Sequence, residues 1–233
     1  AAQSAARFVG VTGTNGKSTT TALIQHLLRR AGRPAEAGGN LGPAALTLNI
    51  LGSEGTYTLE MSSYMLERIA TLRFNVAVML NLAPDHLDRH GDMAGYAAAK
   101  ARIFARQGGE DVAVLGQDDA MTAAMAGGIA ARIVPVSGQA AQRGGIWAEG
   151  RILRDEAGPI LDLRAAGSLP GVHNAQNAAA AAAAAFALGL TRAEVAAGLA
   201  DFAGLPHRQE RVGEVRGVVF VNDSKATNAD AAA

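Results

Sequence analysis

The residues with the clearest chemical meaning form a glycine-rich loop near the start of the chain. The loop consists of Thr12, Gly13, Thr14, Asn15, Gly16, Lys17, Ser18 and Thr19. A triphosphate needs inward-facing backbone N–H groups, which glycines permit, and a lysine and a hydroxyl that reach the phosphates and Mg²⁺. Lys17 and Ser18 fit those two roles, although the strict pattern would place its first glycine at Val11. The segment therefore predicts a variant phosphate-binding loop, and the alternative is a glycine-rich turn that precedes Lys-Ser by chance.

Acidic and histidine side chains follow two further apolar segments. Glu60 ends the segment 56–61, and Asp85, His86 and Asp88 follow the segment 75–80. The carboxyl edge of a parallel sheet is where ligands and their metals bind, and Mg²⁺ prefers oxygen ligands. These side chains could thus hold a metal or move protons. The alternatives are a solvated carboxylate at a strand end and an ordinary loop histidine.

Three polar positions lie on predicted helices. Lys100 falls on the predicted helix 92–107, which follows the loop that contains His86. The plain interpretation is a surface lysine whose stem lies along the apolar stripe of this helix. Asn174 and Asn177 are three residues apart, so they share a helix face and could contact a base edge or cap the helix. The polar segment 222–228 (NDSKATN) is too dense in functional groups for a simple turn, and its alternative is a solvated linker.

The elements that must position these residues alternate between strand and helix. A strand at 8–11 and a helix at 18–31 enclose the glycine-rich loop. The same apolar periodicities predict strands at 56–61, 75–80 and 111–115 and helices at 92–107, 118–126, 174–188 and 192–200. Such alternation implies right-handed crossovers and a parallel sheet that helices cover on both faces.

The pattern changes between residues 131 and 165. Short apolar segments at 133–134, 146–148, 151–153 and 160–163 are separated by turn residues and predict an antiparallel hairpin patch. Two more strands, at 212–215 and 218–221, close the chain. The predicted fold is α/β, with a P-loop-type, mostly parallel sheet flanked by helices and a small antiparallel β patch near 131–165.

Composition excludes several classes of function. The 233 residues carry 21 Lys+Arg and 21 Asp+Glu, so no basic surface for nucleic acid is expected. The chain has no cysteine and therefore no disulfide framework or thiolate metal site. No apolar segment approaches the roughly 20 residues of a membrane span, and the first residues do not resemble a signal peptide. A soluble, cytoplasmic α/β protein is expected.

Taken together, the motifs resemble the Mur ligases, the ATP-dependent amide-forming enzymes of peptidoglycan synthesis. Besides the glycine-rich loop, the matching motifs are GNLG at 39–42, EMSS at 60–63, DHLD at 85–88, AKAR at 99–102, HN at 173–174 together with Asn177, LPHR at 205–208 and NDSKATN at 222–228. They span essentially the whole chain in the family's order. The last motif resembles the branch of the family that adds D-glutamate to UDP-N-acetylmuramoyl-L-alanine.

The resemblance implies a role for each matching residue. On the nucleotide side, the resemblance implies that Lys17 and the loop amides bind the ATP phosphates, that Asn174 and Asn177 lie at the adenine, and that Arg208 and Asp223 lie around the nucleotide. On the metal side, it implies that Ser18 and Glu60 bind a first Mg²⁺ and that His86 binds a second. Lys100 would be a carbamylated lysine at the metal site. The residues on the substrate side are Asn40 and Ser62 facing the muramoyl substrate, and Lys225 and Thr227 where ATP, substrate and amino acid meet. Lys17, Glu60, His86, Lys100 and Lys225 would be the catalytic set.

The resemblance also implies a two-step reaction, through an acyl phosphate that D-glutamate's amine then attacks. One position departs from the family, because Met65 follows Tyr64 where glutamine is usual. Residues 1–223 would be the central ATPase domain and 224–233 the start of a linker to an absent C-terminal domain. We expect the isolated fragment to be a monomer without ligase activity. The alternatives are another Mur-type ligase, a folylpolyglutamate synthase, a nucleotide-binding module without ligation chemistry and a purely structural domain.

Overall fold

The computed structural model describes residues 4–40 and 42–226. Its first half contains β1 (Arg7–Thr12), α1 (Lys17–Arg30), β2 (Ala35–Gly39), β3 (Thr56–Glu60), α2 (Ser63–Arg68), β4 (Val76–Met79), α3 (Leu87–His90), α4 (Met93–Ala101), β5 (Val112–Gly116) and α5 (Ala120–Ala124). Its second half contains β6 (Arg132–Ser137), β7 (Ile146–Glu149), β8 (Ile152–Asp155), β9 (Gly158–Asp162), α6 (Gly171–Ala187), α7 (Arg192–Ala200), β10 (Glu210–Val215) and β11 (Val218–Asn222). None of the described helices is long and apolar enough to span a bilayer.

Among the described residues, nine strands form one sheet in the order β2-β3-β1-β4-β5-β6-β7-β8-β9, and β10 and β11 form a separate antiparallel pair. Pairing is parallel from β2 to β7. The predicted α/β fold with a mostly parallel sheet is thus confirmed. Strand β1 lies between β3 and β4, so the loop that follows it emerges between the ends of two neighbouring strands.

The antiparallel patch predicted near 131–165 is confirmed for β7, β8 and β9, whereas its first segment, at 133–134, lies in a parallel strand. Strand β6 pairs in parallel with β5, where Val114 lies opposite Val134, and β7 pairs in parallel with β6. Antiparallel pairing is confined to β7-β8 and β8-β9, which extend the main sheet. Alternation along a strand indicates which face is buried but not the direction of its neighbour, and this explains the error.

Two apolar clusters pack on the two faces of the sheet. One joins helices α1, α6 and α7 to the sheet, and the other joins the sheet to the residues around α2 and α4. The run Ala178–Ala185 in α6 is buried, at 3% exposure or less for every residue. A helix buried on all sides is a core element, and small side chains let it approach its neighbours closely. This packing brings the start of α6 to the glycine-rich loop.

Candidate active site

The glycine-rich loop leaves β1 and turns into helix α1 at Gly16. Gly16 is the N-cap and has a left-handed backbone with a φ of 82°, and no side chain caps the helix. Thr20 donates the first helical hydrogen bond to the Gly16 carbonyl at 3.0 Å. The amides of residues 17–19 therefore precede the helical bonding pattern, and the positive end of the helix dipole adds to their attraction for an anion.

The carbonyl oxygens of four consecutive loop residues each accept a hydrogen bond. Lys100 Nζ donates to Gly13 O at 2.7 Å, and Lys17 Nζ donates to Thr14 O at 2.5 Å. Asn81 Nδ2 donates to Asn15 O at 3.3 Å, and the Gly16 carbonyl accepts from Thr20. Carbonyl oxygens engaged in this way repel a phosphate less than exposed ones. The loop is thus built to receive an anion.

Glu60 lies beside this loop because β3 pairs with β1, with Val11 opposite Glu60. Its side chain is only 2% exposed, which excludes the solvated-carboxylate interpretation. Oε1 accepts from Asn40 Nδ2 at 2.9 Å, but Oε2 has no hydrogen-bond partner in the described part of the chain. A buried carboxylate oxygen without a partner is costly unless a cation or another donor reaches it.

Lys100 is 2% exposed, so the surface-lysine interpretation is wrong. Burial and then the nearby charge of Lys17 lower its pKa to about 7, against the attraction of Asp85 and Glu60. Its Nζ lies 4.7 Å from the ring centroid of Tyr96. Sequence reasoning missed Tyr96 as a site residue, although its position one helical turn before Lys100 places both on one face of α4.

Lys17 is also affected by this environment. Burial lowers its pKa, and the Arg208 guanidinium lowers it further, whereas Glu60 and Asp85 raise it. Two lysines, an arginine and two acidic residues thus influence one another around the loop. Lowered pKa values at two neighbouring lysines, Lys17 and Lys100, are characteristic of a functional site.

His86 lies at the rim of this cluster. It is the N-cap of α3 with a left-handed φ of 52°, and its backbone N–H donates to Asp85 Oδ1 at 3.0 Å. Its Nε2 lies 3.7 Å from Asp85 Oδ2, and its side chain is 46% exposed. Helix α3 is held in turn by His90, whose ring nitrogen lies 2.9 Å from Ser63 Oγ. A strained, half-exposed histidine in such a place points to a functional constraint.

Helix α6 begins at Gly171, three residues before Asn174, so Asn174 is not its cap. Asn174 Nδ2 donates to Pro170 O at 2.8 Å, and Asn174 Oδ1 accepts from Asn177 Nδ2 at 3.1 Å. Asn177 Oδ1 accepts from Thr20 Oγ1 at 3.3 Å. The asparagine pair therefore connects the start of α6 to the start of α1.

The remaining predicted residues take more varied positions. Arg208 donates to Ser18 Oγ at 2.7 Å and so reaches the loop, and Asp223 accepts from the Gln209 N–H at 3.2 Å. The Ser62 hydroxyl caps helix α2 by accepting from Met65 N, and the Lys225 residue is exposed. Thr227 lies outside the described residues.

The donor set fits a magnesium ion that is shared with phosphate oxygens. No group of three or more histidine or acidic side chains in the described part of the chain is placed to hold a metal. Mg²⁺ usually takes only one or two carboxylates and completes its shell with water and phosphate. Glu60 Oε2, buried and without a partner, and the Ser18 hydroxyl in the loop match that chemistry.

Comparisons with known proteins agree with this geometry. Residues 11–185 match the sequence model of the Mur ligase middle domain. The chain is 50% identical over 229 residues to the UDP-N-acetylmuramoylalanine–D-glutamate ligase of Paramagnetospirillum magneticum, covering 97% of this chain and 50% of that protein. The ligase of the same name from Caulobacter sp. strain K31 is 49% identical over 234 residues, with coverages of 97% and 50%.

The fold is also similar to a solved structure. A crystal structure of MurF from Acinetobacter baumannii matches 98% of this chain and 52% of its own chain, with a TM-score of 0.76 and 24% identity. The chain spans about half the length of the curated relatives it matches.

Proposed function

The chain belongs to the Mur ligase family, and we propose that it is the nucleotide-binding part of an enzyme that joins D-glutamate to UDP-N-acetylmuramoyl-L-alanine with consumption of ATP. Mur ligases are ATP-dependent and generally use Mg²⁺. The observation that carries the proposal is the convergence of Lys17, Glu60 and Lys100 on a glycine-rich loop at the carboxyl edge of the sheet.

The residues of the loop would bind the phosphates of ATP. The N–H groups of residues 16–19 would hold phosphate oxygens, and Lys17 would exchange its bond to Thr14 O for one to a terminal phosphate. Asn174 and Asn177 would lie toward the adenine, with Arg208 and Asp223 around the nucleotide. Asn40 and Ser62 would face the muramoyl substrate, and Lys225 and Thr227 would lie where the three substrates meet.

Ser18, Glu60, Lys100 and His86 would hold two Mg²⁺ ions. When bound, these ions offset the negative charge that develops on the transferring phosphoryl group. Lys100 would serve the metal site as a carbamate, because its lowered pKa leaves a fraction of neutral amine near neutral pH that can react with CO₂. Carbamylation converts a cation into an anion that can bind a metal, and it would replace the hydrogen bond from Lys100 to Gly13 O.

Two steps would follow from this arrangement. A carboxylate oxygen of the muramoyl substrate attacks the γ-phosphorus, and the bond to ADP breaks. The D-glutamate amine then attacks the acyl carbon, phosphate leaves and the nitrogen loses a proton to give the amide. Positioning and charge compensation by Lys17 would supply most of the catalysis, since neither step needs a protein nucleophile.

We place the central ATPase domain at residues 1–223 and the start of a linker to a further domain at 224–233. The isolated segment would then bind nucleotide without ligating amino acids. We predict that the protein is a monomer, that it lies in the cytoplasm and that it has no nucleic-acid partner.

A ligation assay with the full-length protein tests the assignment. With UDP-N-acetylmuramoyl-L-alanine and ATP, we expect turnover with D-glutamate and little with L-alanine or meso-diaminopimelate. Equal or better turnover with either of the latter would favour another Mur-type ligase, and glutamate addition to a folate would favour a folylpolyglutamate synthase. ATP binding without acyl-phosphate formation in the presence of the muramoyl substrate would indicate a binding module.

A further inference from the structure

Asn81 lies two residues after the end of β4 and holds the glycine-rich loop from one side. Its backbone carbonyl accepts from the Thr14 N–H at 2.9 Å, and its Oδ1 accepts from the Asn15 N–H at 2.8 Å. Its Nδ2 donates to the Asn15 carbonyl at 3.3 Å. Strand pairing explains this position, because β4 lies next to β1 with Thr12 opposite Met79. One residue thus makes three hydrogen bonds to two consecutive loop residues.

These bonds determine which loop groups an anion meets. The N–H groups of Thr14 and Asn15 are already used by Asn81, so the amides that remain for a phosphate are those from Gly16 onward. The Asn15 carbonyl, which would repel a phosphate oxygen, is held by the Asn81 amide. Among the donors to the four loop carbonyls, Asn81 is the uncharged side chain, so its contact is not disturbed when a bound anion attracts Lys17 or Lys100.

Asn81 also connects the loop to helix α6. Its Nδ2 donates to Gln176 Oε1 at 3.2 Å, and Gln176 is 4% exposed. The next residue, Asn177, touches the loop directly, since a Cβ on Gly16 would lie 2.1 Å from Asn177 Oδ1. Helix α6 therefore contacts the loop twice, once directly and once through Asn81.

We propose that Asn81 is a positioning residue for nucleotide binding, which fixes the loop so that only its amides from Gly16 onward face the phosphates and which couples the loop to α6 through Gln176. The inference rests on the proposed function to the extent that nucleotide binds at this loop. It assigns no contact between Asn81 and the nucleotide itself.

The test is nucleotide affinity in the 233-residue chain, measured by calorimetry with a non-hydrolysable ATP analogue and Mg²⁺. Asn81→Ala removes the side-chain bonds to Asn15 and Gln176, and buried hydrogen bonds contribute on the order of 1 kcal/mol each. We expect the dissociation constant to rise at least about tenfold. Thermal unfolding of each variant separates this effect from a loss of folded protein.

Asn75→Ala is the matched control. Asn75 precedes the same strand at its other end, and its Oδ1 accepts from the Phe8 N–H at 2.8 Å, far along β1 from the loop. We expect this variant to lose one side-chain hydrogen bond and some stability, and to keep the parent's affinity. An equal loss of affinity in both variants would show that Asn81 acts only through general stability and would overturn the proposal.

Gln176→Leu is a second variant that leaves the loop's own bonds in place. It removes the acceptor for Asn81 Nδ2, and we expect an affinity loss of about threefold, smaller than for Asn81→Ala. Unchanged affinity in Asn81→Ala, or in Gln176→Leu if Asn81→Ala does not fold, would overturn the inference while leaving the proposed function intact. A parent chain that binds no nucleotide would overturn both.

Discussion

The ammonium group of Lys100 donates to the carbonyl oxygen of Gly13 at 2.7 Å, which ties helix α4 directly to the glycine-rich loop. Strand pairing places Glu60 on one side of this loop and Asn81 on the other. Charged groups that are far apart in sequence therefore meet where β1 ends. Substitutions at these positions separate what each group contributes.

Gly16→Ala should abolish nucleotide binding. The left-handed φ of 82° strains any residue with a Cβ, and that Cβ would lie 2.1 Å from Asn177 Oδ1. Either the loop or the start of α6 must then move. We expect no detectable binding in calorimetry, together with a stability loss of at least about 1 kcal/mol.

Gly32→Ala is the matched control, since Gly32 follows the other end of α1 with a φ of 73°, and a Cβ at this position would meet no atom within 4 Å. It should lose about 1 kcal/mol of stability from backbone strain alone and keep its affinity for nucleotide. If Gly16→Ala binds nucleotide as tightly as Gly32→Ala, the loop does not bind phosphate as described.

Glu60→Gln should weaken the magnesium dependence of nucleotide binding. The substitution keeps the size of the side chain but removes the negative charge from the buried Oε2, which has no hydrogen-bond partner in the part of the chain that the structure describes. We expect Mg²⁺ to increase ATP affinity much less in this variant than in the parent. Titration of ATP with and without Mg²⁺ measures the difference.

Glu36→Gln serves as the control for that substitution. Glu36 lies on the edge strand β2 and contacts Asn49 and Arg29, away from the loop. In the Glu36→Gln variant, Mg²⁺ should increase ATP affinity as much as it does in the parent chain. If Glu60→Gln retains the full effect of Mg²⁺, Glu60 is not a metal ligand.

Lys100→Met should change how stability depends on pH. The pKa of Lys100 is about 7 in the folded chain and 10.5 in the unfolded chain, so between these values the unfolded chain binds more protons. The contribution of Lys100 to stability is therefore present above pH 10.5, and it is lost as the pH falls toward 7. Removing Lys100 should therefore raise the free energy of unfolding most at pH 7. It should also flatten the rise of this free energy with pH between 7 and 10.5.

Urea unfolding at several pH values between 7 and 10.5, in buffer free of CO₂, measures this slope. Some slope should remain in Lys100→Met, because burial also lowers the pKa of Lys17. An unchanged slope would mean that the pKa of Lys100 is not lowered in the folded chain in solution.

Lys17→Ala should abolish ATP binding without unfolding the chain. Lys17 is a half-buried cation with a lowered pKa, so its removal costs little stability, whereas the phosphates lose their nearest ammonium. Arg29→Ala removes a positive charge near the other end of α1 and should bind ATP normally. Unchanged affinity in Lys17→Ala would support the interpretation of a purely structural domain.

Much of this architecture could be predicted from sequence because it depends on local periodicity. The strand at 8–11 and the helix that follows it are both present as predicted. Strand β2 was missed because its sequence, AEAGG, has little intrinsic β preference and depends on pairing with β3. Nor could alternation reveal that β6 pairs in parallel with β5.

The site itself could be predicted only in part. Glycine, lysine and serine at fixed spacing indicate phosphate binding by themselves, whereas the burial of Lys100 depends on how α4 packs against the sheet. Asn81 was recognisable as a polar residue just beyond a buried strand, but its bonds to Asn15 depend on which strands are neighbours. Register and packing, which are properties of the whole fold, decide such contacts.

The central claim is that a triphosphate is held at the start of α1. A crystal structure of the chain with Mg²⁺ and a non-hydrolysable ATP analogue tests it most directly. We predict phosphate oxygens within hydrogen-bond distance of the amides of residues 16–19, with Lys17 Nζ on the terminal phosphate and a metal ion beside Glu60 Oε2. A nucleotide bound elsewhere, with Lys17 still on Thr14 O, would contradict the account.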